Sequence, residues 1–221
     1  QTVPGFDFPR RQLPANFHAV GPLRRPLENE AELNLPIDPT RPFVFASLGT
    51  LQGHRYTLLR NIARACKPLG VQLLIAHCGG LNAAQAARLQ DEGAHWVTDF
   101  APQRAALARA AAVITHAGLN TVLDALEAGV PMLALPIAFD QPGVAARIEH
   151  AGVGLRLQSQ LASPARIGHA LQRLLNEGEF RQRAVRLGAE VREAGGAVRA
   201  AELIEAALGT DGLRPEVASG A

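Results

Sequence analysis

The sequence predicts an α/β fold, a doubly wound parallel sheet of the Rossmann-like type with helices on both faces. Three observations lead to this prediction. From residue 43 onward, short apolar runs alternate with longer segments whose apolar residues recur every three or four positions. The runs are short and mostly apolar, which predicts strands buried on both faces of a sheet. A helical segment separates each run from the next, as parallel strands joined by right-handed crossovers require.

The alternation begins with a predicted strand at 43–48 and a predicted helix at 56–69. It continues with strands at 71–76, 95–97, 113–115, 132–135 and 153–157, and with helices at 83–90, 104–109, 120–128 and 144–149. Gly129 ends the helix that precedes the fifth strand, and Pro131 prevents it from continuing. The pattern therefore predicts six strands, with one helix in each of the five connections between them.

The C-terminal part of the chain is predicted to be helical. Ser163 and Pro164 suit the N-cap and the first turn of a helix. Two further helices are expected at 180–191 and 198–208, because apolar residues recur there at helical spacing.

The first part of the chain has a different composition. Residues 1–42 contain eight prolines, which excludes regular helices and central strands. We interpret this segment as a linker or as a lead-in that follows the surface. Residues 43–209 are expected to form one α/β domain, and residues 210–221 a disordered tail.

The overall composition excludes several classes of protein. With 48% apolar and 19% charged residues, the 221-residue chain is not intrinsically disordered, and its net charge of +2 is too small for a nucleic-acid-binding protein. Two cysteines give no disulfide framework, which favours the cytoplasm. No apolar run reaches the ~20 residues needed to span a bilayer. Because the chain begins at Gln1, without a methionine or a signal peptide, we expect it to be a piece of a longer protein.

Polar and glycine residues follow five of the predicted strands. Ligands of open α/β sheets bind beyond the carboxyl ends of the strands, so we expect these loops to form one surface. They are residues 47–50, 77–80, 99–103, 116–121 and 136–141.

The fourth loop, residues 116–121, leads into a helix, whose unpaired N–H groups and positive dipole end favour an anion. Since His116, Asn120 and Thr121 add donors and Gly118 permits close approach, we predict a phosphate-bearing ligand.

Several motifs follow one another here in a fixed order. They are Phe100-Ala101-Pro102-Gln103, His116-Ala117-Gly118-Leu119-Asn120-Thr121, Asp124, Gly129-Val130-Pro131 and Asp140-Gln141. Their order and spacing resemble the donor-binding signature of the UDP-glycosyltransferase family, over roughly residues 43 to 157. The resemblance implies one half of a two-domain glycosyltransferase architecture, the half that binds the nucleotide sugar. Its partner would be an N-terminal acceptor-binding domain.

The lead-in carries a second resemblance. Residues 4–10 and 17–24 are similar to the inter-domain linker of bacterial carotenoid glucosyltransferases. This implies the transfer of glucose from UDP-glucose, with inversion, to a hydroxyl of a lipophilic acceptor such as zeaxanthin, in a cytoplasmic enzyme that could associate peripherally with membranes. The family's general base is a histidine of the other domain. No catalytic residue is therefore expected here, and the chain alone should bind the donor without transferring sugar.

On the matching positions, the resemblance implies a diphosphate site made of His116, Asn120, Thr121 and nearby N–H groups, closed on the opposite side by Gly49 and Thr50. Thr50 could instead be only a turn residue. No Asp-x-Asp pair occurs in the sequence, so we expect neither a metal nor another cofactor. The charge of the diphosphate would then be met by the histidine, the hydroxyls and the helix start.

The resemblance also implies a site for the base. Phe100 would stack on the uracil, Ala101 would meet the base edge through its backbone, and Gln103 would lie near the base and the ribose. Many relatives, notably in plants, have tryptophan at the position of Phe100, so the stacking area is smaller here. Phe100 could alternatively fill the core.

Three further residues are assigned to the sugars by the same resemblance. Asp124 would accept hydrogen bonds from the ribose hydroxyls, and Asp140 and Gln141 would hold the transferred sugar. Asp124 could also be a solvated helix residue. The pair Asp140-Gln141, followed by Pro142, could serve only as a helix start.

Other functions remain open. The chain could be the donor-binding subunit of a split glycosyltransferase, or part of a transferase or epimerase of the same architecture that uses UDP-N-acetylglucosamine. A dinucleotide oxidoreductase is disfavoured, because no Gly-x-Gly-x-x-Gly turn follows the first strand. We interpret His54, His77 and His95 as capping or packing residues.

Overall fold

The computed structural model describes residues 1–24 and 31–209, so the predicted tail at 210–221 lies outside the described residues. This part of the chain forms a six-stranded sheet in which all neighbouring strands are parallel. The strands are β1 (Phe43–Ser47), β2 (Gln72–Ala76), β3 (Trp96–Thr98), β4 (Ala112–Thr115), β5 (Met132–Ala134) and β6 (Gly154–Arg156). Their order is β3-β2-β1-β4-β5-β6, which is a doubly wound arrangement. The predicted fold class is confirmed.

Helices cover both faces of the sheet. They are α1 (Tyr56–Cys66), α2 (Ala83–Asp91), α3 (Gln103–Arg109), α4 (Leu119–Glu127), α5 (Gln141–His150), α6 (Pro164–Asn176), α7 (Gly178–Glu193) and α8 (Gly196–Leu208). The apolar residues of α1, α2 and α6 pack on one face, and those of α3, α4, α5 and α7 pack on the other. Among the described residues, no helix is both long enough and apolar enough to cross a membrane.

Two predictions about individual elements are wrong. Strands β3 and β6 are not buried on both faces, since β3 is only partly buried throughout and Arg156 in β6 is exposed. Both lie at the edges of the sheet, where the helix layers give less cover. The predicted helix 56–69 ends at Cys66 and continues as a 3-10 turn, because Pro68 has no N–H to extend the α-helical bonding. The other predicted elements agree with the structure to within three residues at either end.

The lead-in packs against the domain. In its described part the only regular element is a 3-10 turn at Pro4–Phe6, as the proline content predicts. Val3 and Phe6 are fully buried in the same core as α4 and α7. The N–H of Gly5 donates a hydrogen bond to the carboxylate of Glu190 in α7. Residues 1–24 are therefore anchored in the core by Val3 and Phe6, and the interpretation of residues 1–42 as a linker or lead-in stays a prediction.

Candidate functional site

A cavity lies at the carboxyl edge of the sheet, where the strand order reverses. The reversal falls between β1 and β4, and the loops after these two strands face each other across it. Open α/β sheets bind ligands at such a point. The cavity has a volume of about 410 Å³ and is lined by nine of the twelve predicted donor-binding residues: Gly49, Thr50, Phe100, Ala101, Gln103, His116, Gly118, Asn120 and Thr121.

A larger cavity, of about 720 Å³, lies beside the starts of α1 and α6. None of the twelve predicted residues lines it. The smaller cavity is therefore the candidate site, because the residues that match the family signature converge there.

The imidazole of His116 is held between two glycines. A Cβ on Gly49 would stand 2.6 Å from the ring Cε1, and a Cβ on Gly118 would stand 2.5 Å from Nε2. Gly49 also has a φ of +75°, which residues with side chains rarely adopt. Gly118 was predicted to let a ligand approach closely. In the structure the ring of His116 itself fills the space beside it, so the first role of both glycines is to accommodate the histidine.

The environment of His116 favours the neutral form of its ring. Burial lowers the pKa of His116, and the backbone carbonyl of Ser47 and the carboxylate of Asp140 oppose this only in part. Its Nδ1 is buried and has no hydrogen-bond partner. A neutral imidazole donates one hydrogen bond, and an anion bound beside it would favour uptake of a second proton.

The start of α4 is open toward the cavity. Its N-cap residue is Gly118, and no side chain caps the helix. The N–H groups of the first turn can therefore bind an anion, with the helix dipole behind them. Asn120, in this first turn, is exposed and lines the cavity.

Gln103, Thr121 and Asp124 bind one another. The Thr121 hydroxyl donates to Gln103 Oε1 at 3.1 Å, and Gln103 Nε2 donates to Asp124 Oδ2 at 2.6 Å. A hydroxyl has one proton, and this bond uses it. Thr121 can therefore serve a phosphate through its backbone N–H rather than through its side chain.

Asp124 is not a solvated helix residue, because its side chain is only 7% exposed. It does not line the cavity directly but lies behind Gln103. Burial raises the pKa of Asp124, the nearby Glu127 raises it further, and Gln103, Arg24 and Arg104 act in the opposite direction. The carboxylate is thus a buried group whose charge depends on its neighbours.

Asp140 and Gln141 lie at the start of α5, outside the lining of the cavity. Gln141 is buried, and its Oε1 accepts hydrogen bonds at 2.9 Å from the N–H groups of Ile137 and Ala138. This oxygen therefore holds the protein's own loop. Asp140 is exposed, makes no capping hydrogen bond, and is close enough to His116 to influence its pKa. Asp140 is the member of the pair that a ligand can reach.

Phe100 stands at the cavity and is 68% exposed. It is not a core residue, so that alternative is excluded. An exposed aromatic ring beside a cavity of this kind provides a flat surface for a planar base.

Backbone strain is concentrated at the same edge. Within the described residues, three non-glycine residues have a positive φ: Cys78 at 53°, Ala117 at 66° and Phe139 at 57°. They follow β2, β4 and β5, so all three lie in loops of the carboxyl edge. Such conformations cost free energy, and they are found preferentially at functional sites.

Five residues that line the cavity were not among the predicted site residues. They are Phe45, Ser47, Ala76, Cys78 and Leu119. Phe45 and Ala76 lie within strands, where their apolar character predicted only a core position. Ser47, Cys78 and Leu119 lie in segments 47–50, 77–80 and 116–121, which strand topology already placed on this surface without assigning these residues a role.

His77 is confirmed as a packing residue. It is buried, its Nδ1 accepts the N–H of Leu81 at 3.2 Å, and its Nε2 lies 3.2 Å from the Asp99 carboxylate. Across residues 1–24 and 31–209, no three histidine, cysteine, aspartate or glutamate side chains form a group that could hold a metal ion.

The comparison with protein families decides the affiliation of the chain. The model of the family described as UDP-glucoronosyl and UDP-glucosyl transferase matches residues 1–193. The chain belongs to this family. The resemblance to this family, inferred from the motifs, is confirmed.

Two curated relatives are zeaxanthin glucosyltransferases. The one from Pantoea ananas is 46% identical and covers 95% of this chain, and the one from Pseudescherichia vulneris is 47% identical and covers 94%. In each case the match covers 49% of the relative. Among solved structures, the calicheamicin glycosyltransferase CalG4 matches with a TM-score of 0.75 at 29% identity, over 89% of this chain and 49% of that chain. The chain thus spans about half the length of these glycosyltransferases.

Proposed function

We propose that this chain is the donor-binding half of an inverting glucosyltransferase that transfers glucose from UDP-glucose to a hydroxyl of a lipophilic acceptor, zeaxanthin. One observation carries the proposal. The imidazole of His116, the open start of α4 and the exposed ring of Phe100 surround one cavity at the reversal of strand order. The similarity to two zeaxanthin glucosyltransferases supports the choice of acceptor.

Each part of UDP-glucose has a counterpart in the site. The diphosphate would bind the first-turn N–H groups of α4, His116 and Asn120. The uracil would stack on Phe100 and meet the backbone of Ala101. The ribose would lie over Gln103, with Asp124 behind it, and the glucose would point toward Asp140.

In the proposed reaction these contacts hold the donor. An acceptor hydroxyl oxygen attacks the anomeric carbon from the side opposite the diphosphate, and the bond from that carbon to the phosphate oxygen breaks. The electron pair leaves with UDP, and the acceptor proton passes to a general base in the acceptor-binding domain of the whole enzyme. Negative charge grows on the leaving phosphate, which the N–H groups of α4 and His116 would stabilise. This chain therefore stabilises the leaving group, and the other domain activates the acceptor.

Calorimetric titration of the chain tests the proposal, with UDP, dTDP, UDP-glucose and UDP-N-acetylglucosamine as ligands. We expect UDP and UDP-glucose to bind and the other two to bind more weakly. Tighter binding of UDP-N-acetylglucosamine would indicate a different transferred sugar, and failure of all uridine nucleotides to bind would overturn the proposal.

A second measurement concerns catalysis. The chain alone should transfer no glucose to zeaxanthin, because its general base is expected elsewhere. Turnover restored by a separate acceptor-domain chain would indicate a split enzyme, and turnover by this chain alone would contradict the division of roles.

A further inference from the structure

Arg24 of the lead-in reaches a cluster of charged side chains behind the donor cavity. Its Nη2 lies 2.5 Å from Asp124 Oδ1 and 3.1 Å from Glu127 Oε1. Arg104 bridges the same two carboxylates, at 3.6 Å and 2.8 Å. The four side chains form a closed ring of alternating charge in which the lead-in supplies one of the two cations.

The cluster is largely removed from solvent. The side chains of Asp124 and Glu127 are 7% and 15% exposed, and that of Arg24 is 28% exposed. Asp124 Oδ1 and Arg24 Nη2 are themselves fully buried, and their contact meets the distance but not the angle of a hydrogen bond. The pair is therefore held by charge. Removing one partner of a buried ion pair leaves the other charge uncompensated, which costs far more than losing a surface pair.

The cluster continues into the cavity through hydrogen bonds. Asp124 Oδ2 accepts from Gln103 Nε2, and Gln103 Oε1 accepts from the Thr121 hydroxyl. These two bonds orient the Gln103 amide, with its Nε2 toward Asp124 and its Oε1 toward Thr121. Gln103 and Thr121 line the cavity, whereas Arg24 does not. A cation of the lead-in thus connects, through one carboxylate, to two residues of the candidate site.

We propose that Arg24 is a positioning residue for the nucleotide part of the donor: its contact with Asp124 orients this carboxylate, and Asp124 in turn orients Gln103 and Thr121. The inference rests on the proposed function, since the ligand it concerns is a uridine diphosphate sugar. If Arg24 has this role, the lead-in completes the donor site. Binding of the donor and docking of the lead-in on α4 are then coupled.

The test compares variants of the chain in calorimetric titrations with UDP-glucose. Arg24→Gln should weaken binding about tenfold, a loss typical of hydrogen bonds and contacts to charged groups. Arg24→Lys should recover part of this loss, because a point charge reaches the carboxylates without bridging them in the same way. The matched control is Arg11→Gln, an exposed arginine of the same lead-in, which should bind like the unsubstituted chain.

Two further readouts separate positioning from a general loss of folding. In an Asp124→Asn background, Arg24→Gln should cause no additional loss, because the carboxylate through which it acts is already gone. Among residues 1–24 and 31–209, the charged groups that face Asp124 are Arg24, Arg104 and Glu127, so without Arg24 its pKa should rise. As pH falls, Arg24→Gln should therefore lose affinity at a higher pH than the unsubstituted chain does.

The outcomes distinguish the inference from the proposed function. If the unsubstituted chain binds UDP-glucose but Arg24→Gln binds it within twofold of Arg11→Gln, the inference is overturned and the proposed function stands. Additive losses in the Asp124→Asn background would also overturn the inference. If the unsubstituted chain binds no uridine nucleotide, the proposed function falls and the inference falls with it.

Discussion

The ring of His116 lies so close to Gly49 that a Cβ at position 49 would stand 2.6 Å from its Cε1. Real Cβ atoms do not tolerate such a distance, and the same glycine has a left-handed φ of +75°. The conformation of the loop after β1 and the position of the histidine after β4 are therefore fixed together. The two sides of the candidate site depend on each other, although their residues lie far apart in the sequence.

Gly49→Ala should weaken the binding of UDP by more than about tenfold, because the methyl group displaces the imidazole that faces the diphosphate. It should also lower the free energy of unfolding by about 1–2 kcal/mol through backbone strain. Titration with UDP and urea denaturation measure the two effects.

The chain contains a matched control for this substitution. Gly70 has a φ of +64°, and a Cβ there would have no atom within 4 Å. Gly70→Ala should cost only the free energy of unfolding that comes from backbone strain, and it should leave UDP binding unchanged. Equal binding by the two variants would show that the histidine position does not matter for the ligand.

His116 should make donor binding dependent on pH. Burial lowers the pKa of the free enzyme's His116 below its usual 6.5, and a bound diphosphate should raise it again. Between these two pKa values binding takes up a proton, so the affinity for UDP-glucose should increase as pH falls through this window and level off below it. His116→Ala should weaken binding by about 1.5–3 kcal/mol and remove this dependence on pH.

Calorimetry in two buffers with different ionisation enthalpies measures this proton uptake. UDP-glucose is the ligand to use, because the terminal phosphate of UDP has its own pKa of about 6, and its titration would obscure that of His116. Proton uptake that persists in His116→Ala would assign the titrating group elsewhere.

The sequence predicted the parts of the site that follow from topology. Alternating strands and helices predict a parallel sheet, and a parallel sheet brings its carboxyl-end loops together whatever their order. The convergence of Phe100 and His116 on one cavity could therefore be predicted. The poor burial of β3 and β6 could not be predicted, because the pattern of apolar residues does not show which strands lie at the edges of the sheet.

Contacts that depend on side-chain conformation could not be predicted either. The oxygen of the Gln141 amide holds its own loop, and the ring of His116 occupies the space beside Gly118. The pairing of Arg24 with Asp124 joins residues 100 positions apart in the sequence. The lead-in has no periodic pattern from which its docking position could be deduced.

Gln72 should be important for stability rather than for binding. It is buried in β2, where its Oε1 accepts the N–H of Asp38 and its Nε2 donates to the carbonyls of Asp38 and Arg41. Gln72→Leu leaves these backbone groups without partners, so the free energy of unfolding should fall by about 1–3 kcal/mol. Urea denaturation checks this, with the exposed Gln172→Leu in α6 as the control that should change stability by less than about 0.5 kcal/mol.

Phe100 offers the most direct test of where the base binds. Its ring is 68% exposed, so Phe100→Ala removes little buried surface and should leave the free energy of unfolding within about 0.5 kcal/mol. If the uracil stacks there, the same substitution should weaken UDP binding by about 1–2 kcal/mol, and Phe100→Trp should strengthen it because the larger ring offers more area. Phe139 is 73% exposed in the loop after β5 and does not line the cavity, so Phe139→Ala is the control and should leave UDP binding unchanged. Equal effects of the two alanine substitutions on UDP affinity would mean that the base does not bind at Phe100, and the donor would then have to lie in a different orientation on the start of α4.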